Sequence, residues 1–265
     1  KSTTLLYSSS FSSAIGLLDK SLHQSIYDIY GFVRFADEIV DTFHEYDKAT
    51  LLATFKADTY AALDNGISLN PILHRFQLTY NQFKIDRALL DAFLYSMEMD
   101  LSQQSHDQAS YNQYIFGSAE VVGLMCLKIF CNGDEGQYEV LKPSAQRLGA
   151  AFQKVNFLRD IKADFVGMER MYFPNCDFSN FSLADKQAIE VDIQADFDAA
   201  FEGIKALPIP CRFGVYVAFK YYYALFKKIK QTNHGALLST RIRIPDYGKL
   251  FIVFNAKIRA SLNLL

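Results

Sequence analysis

Tryptophan is absent, and glycine and proline together supply only 19 of 265 residues. Those few breakers fall mostly in a handful of clusters, the distribution of long helices separated by short turns. The four cysteines (Cys126, Cys131, Cys176 and Cys211) form no CxxC pair and sit in apolar or turn surroundings. They read as reduced thiols of a cytoplasmic protein rather than as a disulfide framework or a zinc site. No apolar run reaches the roughly 18 residues that span a bilayer, and no secretory leader is visible. Nor is there a basic block or a basic-aromatic stripe, and the net charge is only −2, which speaks against a nucleic-acid partner. A start at Lys1 rather than Met leaves room for native residues upstream. The expected location is cytoplasmic, with contact at a membrane surface left open.

Half of the chain is apolar and 15% is aromatic, with 23 Phe and 16 Tyr. That length and composition can bury a substantial core. With no repeat, low-complexity linker or break in composition, one all-α domain over residues 1–265 is the economical expectation.

Two segments stand out. Tyr30-Gly-Phe-Val-Arg34-Phe-Ala-Asp37-Glu38-Ile-Val-Asp41 places Tyr30, Arg34, Asp37 and Asp41 within about 60° on a helix that advances roughly 100° per residue. Gln153-Lys-Val-Asn156-Phe-Leu-Arg159-Asp160-Ile-Lys-Ala-Asp164 places Gln153, Asn156, Asp160 and Asp164 within about 80°. Ile29, Phe32, Val33, Ala36, Ile39 and Val40 surround the first stripe, and Val155, Phe157, Leu158 and Ile161 the second. Both segments therefore read as largely buried helices. Like-charged carboxylates in such a setting are costly without a cation or hydrogen bonds. Mg2+ takes oxygen ligands and is often shared between carboxylates and substrate phosphates. Two matched stripes are thus a plausible cradle for Mg2+ and a diphosphate, where one DxxxD alone would read as a solvated face.

The remaining segments allow two readings each. Hydroxyls in Tyr7-Ser-Ser-Ser10-Phe11-Ser-Ser13 cap a helix or meet a phosphate at a helix start. His44 reads as a solvated helix end, Asp91, Glu98 and Asp100 as surface acids, and residues 101–110 as a polar loop. Small residues at 117, 118, 119 and 123 serve close helix packing or make room for a long apolar ligand, with Tyr114 at the polar mouth. Arg170, in an ordered loop Met168–Pro174, is a surface charge or an anion ligand. Pro143 lies near the start of the second acidic helix. The aromatic run Phe213–Lys230 is core, or lines a pocket that holds a carbocation against ring faces. Arg241-Ile-Arg243-Ile supplies paired cations before a last helix of roughly Tyr247–Leu262.

These motifs, in this order, resemble the squalene/phytoene synthase family, the head-to-head prenyl synthases of the class I isoprenoid-synthase fold. The resemblance rests on Asp37-Glu-Ile-Val-Asp41, Tyr114-Ile-Phe-Gly-Ser-Ala-Glu-Val-Val-Gly123, Gln153…Asn156…Arg159-Asp160…Asp164, Glu169-Arg170-Met-Tyr172-Phe-Pro174 and Arg241-Ile-Arg-Ile. It runs from about Thr3 to the last helix and is most like bacterial phytoene synthases. It implies a helical bundle whose central cavity takes two prenyl diphosphates. It further implies that Asp37, Asp41, Asn156, Asp160 and Asp164 hold Mg2+, or Mn2+ in its place. Arg34, Tyr114, Gln153, Arg159, Tyr222 and Arg241 match positions at the diphosphate sites. Ser8 and Ser10 match a segment that closes over one of them, and Arg170 and Tyr172 are carried over with them. Glu38, where some relatives have Asp, keeps the charge. Lys162-Ala163 stands where relatives often have Gly-Glu and removes one carboxylate.

The implied reaction is condensation of two geranylgeranyl diphosphates to phytoene, the first committed step of carotenoid synthesis. The neighbouring alternative is squalene or dehydrosqualene synthesis from farnesyl diphosphate, with NADPH in the squalene case only. A non-catalytic assembly relative would tend to lose motif aspartates, which are kept here. A di-iron carboxylate bundle would need paired Glu-x-x-His motifs, and there are none. Oligomeric state is not legible.

Overall fold

The computed structural model of the chain describes residues 14–103, 105–168, 172–174, 176, 181–237 and 240–261, without side chains at 162–168, 234, 246–247 and 258–261. Among the described residues there are helices and no strand. In chain order they are α1 (Lys20–Asp41), α2 (Lys48–Asn65), α3 (Pro71–Gln82), α4 (Arg87–Ser102) and α5 (Gln108–Ile115). A π-helical segment, Phe116–Glu120, leads into α6 (Val121–Cys131). Then come α7 (Glu135–Met168), α8 (Leu183–Ala206), α9 (Ile209–Gln231), the short α10 (His234–Leu237) and α11 (Asp246–Ser261).

Local chemistry sets these boundaries. Asp19, Asp47 and Asp107 accept backbone N–H groups at the starts of α1, α2 and α5. Asn70 does so for α3, with Pro71 at the first position where a missing N–H costs nothing. Ser182 and Asp185 form a reciprocal capping box on α8. Gly66 (φ +68°) closes α2 in the left-handed conformation that glycine tolerates. The second acidic helix begins earlier than expected, at Glu135, and carries Pro143 inside it. Proline there removes one intrahelical hydrogen bond, and packing of α7 against α8, α6 and the π segment compensates.

The core is aromatic and aliphatic throughout. Phe32 of α1 stacks on Phe76 at 3.9 Å and lies near Phe55 and Phe93. Burial of such a ring is worth about 1.5–3 kcal/mol relative to exposure. Of the residues expected around the two stripes, Ile29, Phe32, Ala36, Ile39, Val40, Val155, Phe157, Leu158 and Ile161 are buried, and Val33 is half-buried. The continuous helical run Gln108–Cys131 is long and apolar enough to cross a membrane by length and composition, but 56% of its most apolar window is buried in this fold. It is a core element built by joining α5, the π segment and α6.

Helices approach closely where side chains are missing. A Cβ at Gly149 would lie 2.7 Å from the Ala119 carbonyl oxygen and 2.9 Å from Glu120 Cα, both backbone atoms of the π segment. Gly149→Ala is therefore expected to destabilise the fold by about 1–3 kcal/mol, as overpacking does. Urea unfolding would show it as a lower midpoint at unchanged slope. A midpoint equal to that of the parent chain would refute the contact.

Candidate active site

α1, the π segment with α6, α7, α8, α9 and residues 241–244 enclose a cavity of about 870 Å³. Its lining on α7 follows one helical stripe: Leu141, Ser144 and Ala145, Leu148 and Gly149, Phe152 and Gln153, Asn156, then Arg159. The stripe changes character along its length. Along Leu141 to Phe152, Gly123 approaches Ala145 and Gly203 approaches Ser144, and the apolar Cys126, Phe130 and Ile204 also line the cavity. Toward Arg159 the neighbours are polar: Tyr222 lies by Asn156 and Arg159, Arg241 reaches Asp160, and Tyr30, Arg34, Arg243 and Lys249 also line the cavity. The cavity is an apolar tube with a cationic, hydroxyl-rich mouth.

Residues from both stripes line that mouth. Tyr30, Val33 and Arg34 line it from α1, and Gln153, Asn156 and Arg159 from α7. Asp37 and Asp41 continue the α1 stripe one and two turns further on. Arg34 pairs with Asp37 and with the buried Glu38. Asp160 is held from two elements. Arg159 Nε donates to it at 3.1 Å, and Arg241 Nε, from beyond α10, lies 2.7 Å from its Oδ1. Burial works against the charge on Arg34 and Arg159, but the neighbouring carboxylates outweigh it and raise both pKa values. Each stripe thus keeps its carboxylates and guanidiniums in mutual compensation.

Tyr222 stacks on Phe152, with centroids 3.9 Å apart and planes at 15°. Burial pushes its phenol pKa up, against the lowering effects of the Arg159 charge and a hydrogen bond with Asn156. Asn156 Oδ1 is buried and has no hydrogen-bond partner. A buried amide oxygen left in that state costs about 1–3 kcal/mol, and it sits among the mouth residues. Gln153 Nε2 donates to Ser118 Oγ at 3.3 Å.

Two expected site residues lie elsewhere. Tyr114 and Tyr172 are buried and do not line the cavity. Both donate to Asp100, at 2.8 and 3.4 Å, and Tyr172 stacks on Phe157 at 4.0 Å and 3°. Asp100 is therefore no free surface acid but the anchor of an aromatic cluster behind α7's mouth end. Asp91 is exposed and accepts from Tyr60, Glu98 pairs with Lys56, and His44 is exposed beyond the end of α1, as expected. Ser8, Ser10 and Arg170 lie outside the described residues, as does the side chain of Asp164.

The small residues divide between the two roles allowed for them. Gly117 is a packing contact, where a Cβ would meet the Ala92 carbonyl oxygen at 2.4 Å. Ser118, Ala119 and Gly123 line the cavity, and the π segment lies in this wall, where such bulges recur at functional sites. Sequence reasoning left Tyr30, Tyr221, Arg243 and Lys249 out of the site, although Tyr30 stood on the first stripe and Arg243 in the paired-cation motif. Gly203 and Gly214 carried no signal, since each becomes cavity wall only through tertiary packing. Among the described residues, no three acid, histidine or cysteine side chains come close enough to form a metal site alone.

Comparison with known proteins agrees with this architecture. The family model for squalene/phytoene synthase matches residues 6–247. A presqualene diphosphate synthase of Rhodopseudomonas palustris is 30% identical over 169 residues, 63% of this chain and 58% of that protein, so the match spans under two thirds of the relative's length. A phytoene synthase of Arthrospira platensis is 26% identical over 97% of this chain and 91% of that protein. The solved structure of a dehydrosqualene synthase in complex with ligand superposes with a TM-score of 0.84 at 20% identity, over 98% of this chain and 94% of that one. The likeness in fold is all that so distant a structure shows. With a family match across nearly its whole length, the chain belongs to the squalene/phytoene synthase family, whose members join two prenyl diphosphates head to head.

Proposed function

We propose that this chain condenses two geranylgeranyl diphosphates, through prephytoene diphosphate, to phytoene. The observation that supports this substrate length is the depth of the cavity along α7. From Asn156 at the mouth to Leu141 is 15 residues, about 22 Å and about four helical turns. One isoprene unit adds four main-chain carbons, close to the ~5 Å pitch of one turn. Four isoprene units match four turns, whereas farnesyl would leave the innermost turn unfilled. The volume of about 870 Å³ lies toward the upper end of ligand cavities.

The chemistry of the oxygen donors on the two stripes suits Mg2+ or Mn2+, with Asn156 at the mouth and Asp37, Asp41 and Asp160 further along the same helices. The set offers oxygen ligands only, including the unpartnered Asn156 Oδ1, and Mg2+ needs just one or two carboxylates when phosphates and waters complete its shell. Asp37, Asp41, Asn156, Asp160 and Asp164 would hold it. When bound, it would neutralise diphosphate charge as a Lewis acid.

In this reading Arg34, Arg159 and Arg241 bind and orient the diphosphates, assisted by Arg243, Lys249 and Gln153. Diphosphate leaves C1 of one substrate, and the C2–C3 double bond of the other attacks that carbon with loss of a proton, closing the cyclopropane. Loss of the second diphosphate, rearrangement and loss of a second proton give phytoene without a reductant. The face of Tyr222, backed by Phe152, stabilises positive charge next to the mouth. The apolar tube below it excludes water that would quench a cation.

The test is incubation of purified protein and Mg2+ with labelled farnesyl or geranylgeranyl diphosphate, with and without NADPH. A C40 triene from geranylgeranyl diphosphate without NADPH is the expected product. A C30 product would reassign the enzyme to squalene or dehydrosqualene synthesis, according to its need for NADPH. No condensation with either substrate would favour a binding or assembly role.

A further inference from the structure

Glu120 is the sole charged residue from Gln108 to Leu127, a stretch that runs from α5 through the π segment into α6. It is half-buried, and burial pushes its carboxyl pKa up from the ordinary range. A carboxylate in such surroundings carries a desolvation cost that an apolar side chain would not. Its contacts show what it is there for.

Charge balance is not the reason. The cations that act on Glu120, Arg147 and Lys154 of α7, are already matched by carboxylates of α8. Arg147 Nη1 lies 3.0 Å from Asp196 Oδ1. Lys154 Nζ lies 2.7 Å from Asp196 Oδ2 and 2.5 Å from Asp192 Oδ2. Among the described residues, Glu120 instead accepts a hydrogen bond from Gln146 Nε2 at 2.9 Å.

That bond belongs to a row. Gln146, Gly149 and Gln153 are spaced three and four apart, which puts them within about 60° on α7. They meet three consecutive residues of the π segment in reverse order. Gln146 holds Glu120, and Gly149 packs where a Cβ would lie 2.7 Å from the Ala119 carbonyl oxygen. Gln153 Nε2 donates to Ser118 Oγ at 3.3 Å. A slide of either segment along the other disturbs all three contacts. Ser118 and Gln153 line the cavity, whereas Glu120 and Gln146 do not.

We infer that Glu120 is a positioning residue. Its bond to Gln146 fixes the register of the π segment on α7 and thereby holds Ser118 against Gln153 at the mouth. The inference rests on the reading of that mouth as a diphosphate site, and names the residue that aims Gln153 into it. It holds whichever prenyl chain the cavity takes.

Binding of inorganic diphosphate with Mg2+, followed by calorimetry, tests this without any need for turnover. Glu120→Ala is expected to weaken that binding about tenfold, the scale of one misaligned hydrogen bond to a charged ligand. Glu120→Gln keeps an acceptor for Gln146 and should restore the parent affinity. In a Gln153→Ala chain, Glu120→Ala should weaken binding no further, because the group it positions is gone. Gln146→Ala removes the same bond from the α7 side and should match Glu120→Ala, so that either variant serves if the other folds poorly. Parent affinity in both alanine variants would overturn the inference. So would additive losses for Glu120→Ala and Gln153→Ala, which would make Glu120 a general support of the fold. A Glu120→Gln chain as weak as Glu120→Ala would overturn it too, since charge rather than the bond would then matter. A parent chain that binds diphosphate but yields no condensation product would sink the proposed reaction, while these affinities still decide the role of Glu120. A parent chain that binds no diphosphate would overturn both.

Discussion

Asp160→Asn is expected to lower condensation by about 10²–10³-fold, the scale at which removal of one preorganised electrostatic group acts. The substitution keeps the shape of the side chain and removes its charge. Asp160 is compensated by Arg159 on its own helix and by Arg241 from a distant segment. Those same guanidiniums line the cavity mouth. With asparagine the proposed Mg2+ set loses a carboxylate, while two guanidiniums are released from their counter-charge. The two consequences separate experimentally. Binding of inorganic diphosphate without Mg2+ is expected to be retained or tightened, and the gain on adding Mg2+ to shrink. Circular dichroism should remain that of the parent, since Asp160 is not part of the apolar core. Normal turnover by Asp160→Asn would remove this residue from the proposed metal set. Equal weakening of diphosphate binding with and without Mg2+ would instead make Asp160 a positioning group for the arginines.

Much of this was legible before any coordinates, and the reasons differ by residue. The acidic stripes could be read because helical periodicity places Tyr30 with Arg34 and Gln153 with Asn156, and both pairs line one cavity. The helix ends at Asp19, Gly66 and Asn70 rest on local capping chemistry, which needs no distant partner. Pro143 misled because its cost is local, while the packing that offsets it comes from three other segments. Asp100 misled in the same way. In sequence it is one more acid on an amphipathic helix, and its tyrosine partners arrive from 14 and 72 residues away. The cavity wall was the least legible part. Gly149 approaches the π segment, Gly203 approaches Ser144, and Gly214 approaches Leu18. No spacing rule joins these glycines, since they become neighbours of one tube only after α7, α8 and α9 have packed.

Leu141→Trp is expected to shift substrate preference from geranylgeranyl toward farnesyl diphosphate by about 10–100-fold, within the range that one unit of apolar pocket space can discriminate. Leu141 is buried at the inner end of the α7 stripe, four turns below Asn156. An indole there occupies the space assigned to the fourth isoprene unit and leaves the three turns above unchanged. Part of the added volume enters the cavity, so overpacking is expected to cost at most about 1–3 kcal/mol. Competition between the two substrates measures the effect directly, as the ratio of C30 to C40 products. Leu141→Ala is the matched control. It deepens the tube, so it should retain the C40 product while losing some stability. Cys126→Phe approaches from the α6 wall of the same tube, and should shift the ratio in the same direction if the tryptophan variant folds poorly. Retention of the C40 preference in both filled variants would show that depth along α7 does not measure the chain. A shift in Leu141→Trp with none in Leu141→Ala would tie substrate length to the inner turn of α7, independently of the mouth residues proposed to bind diphosphate.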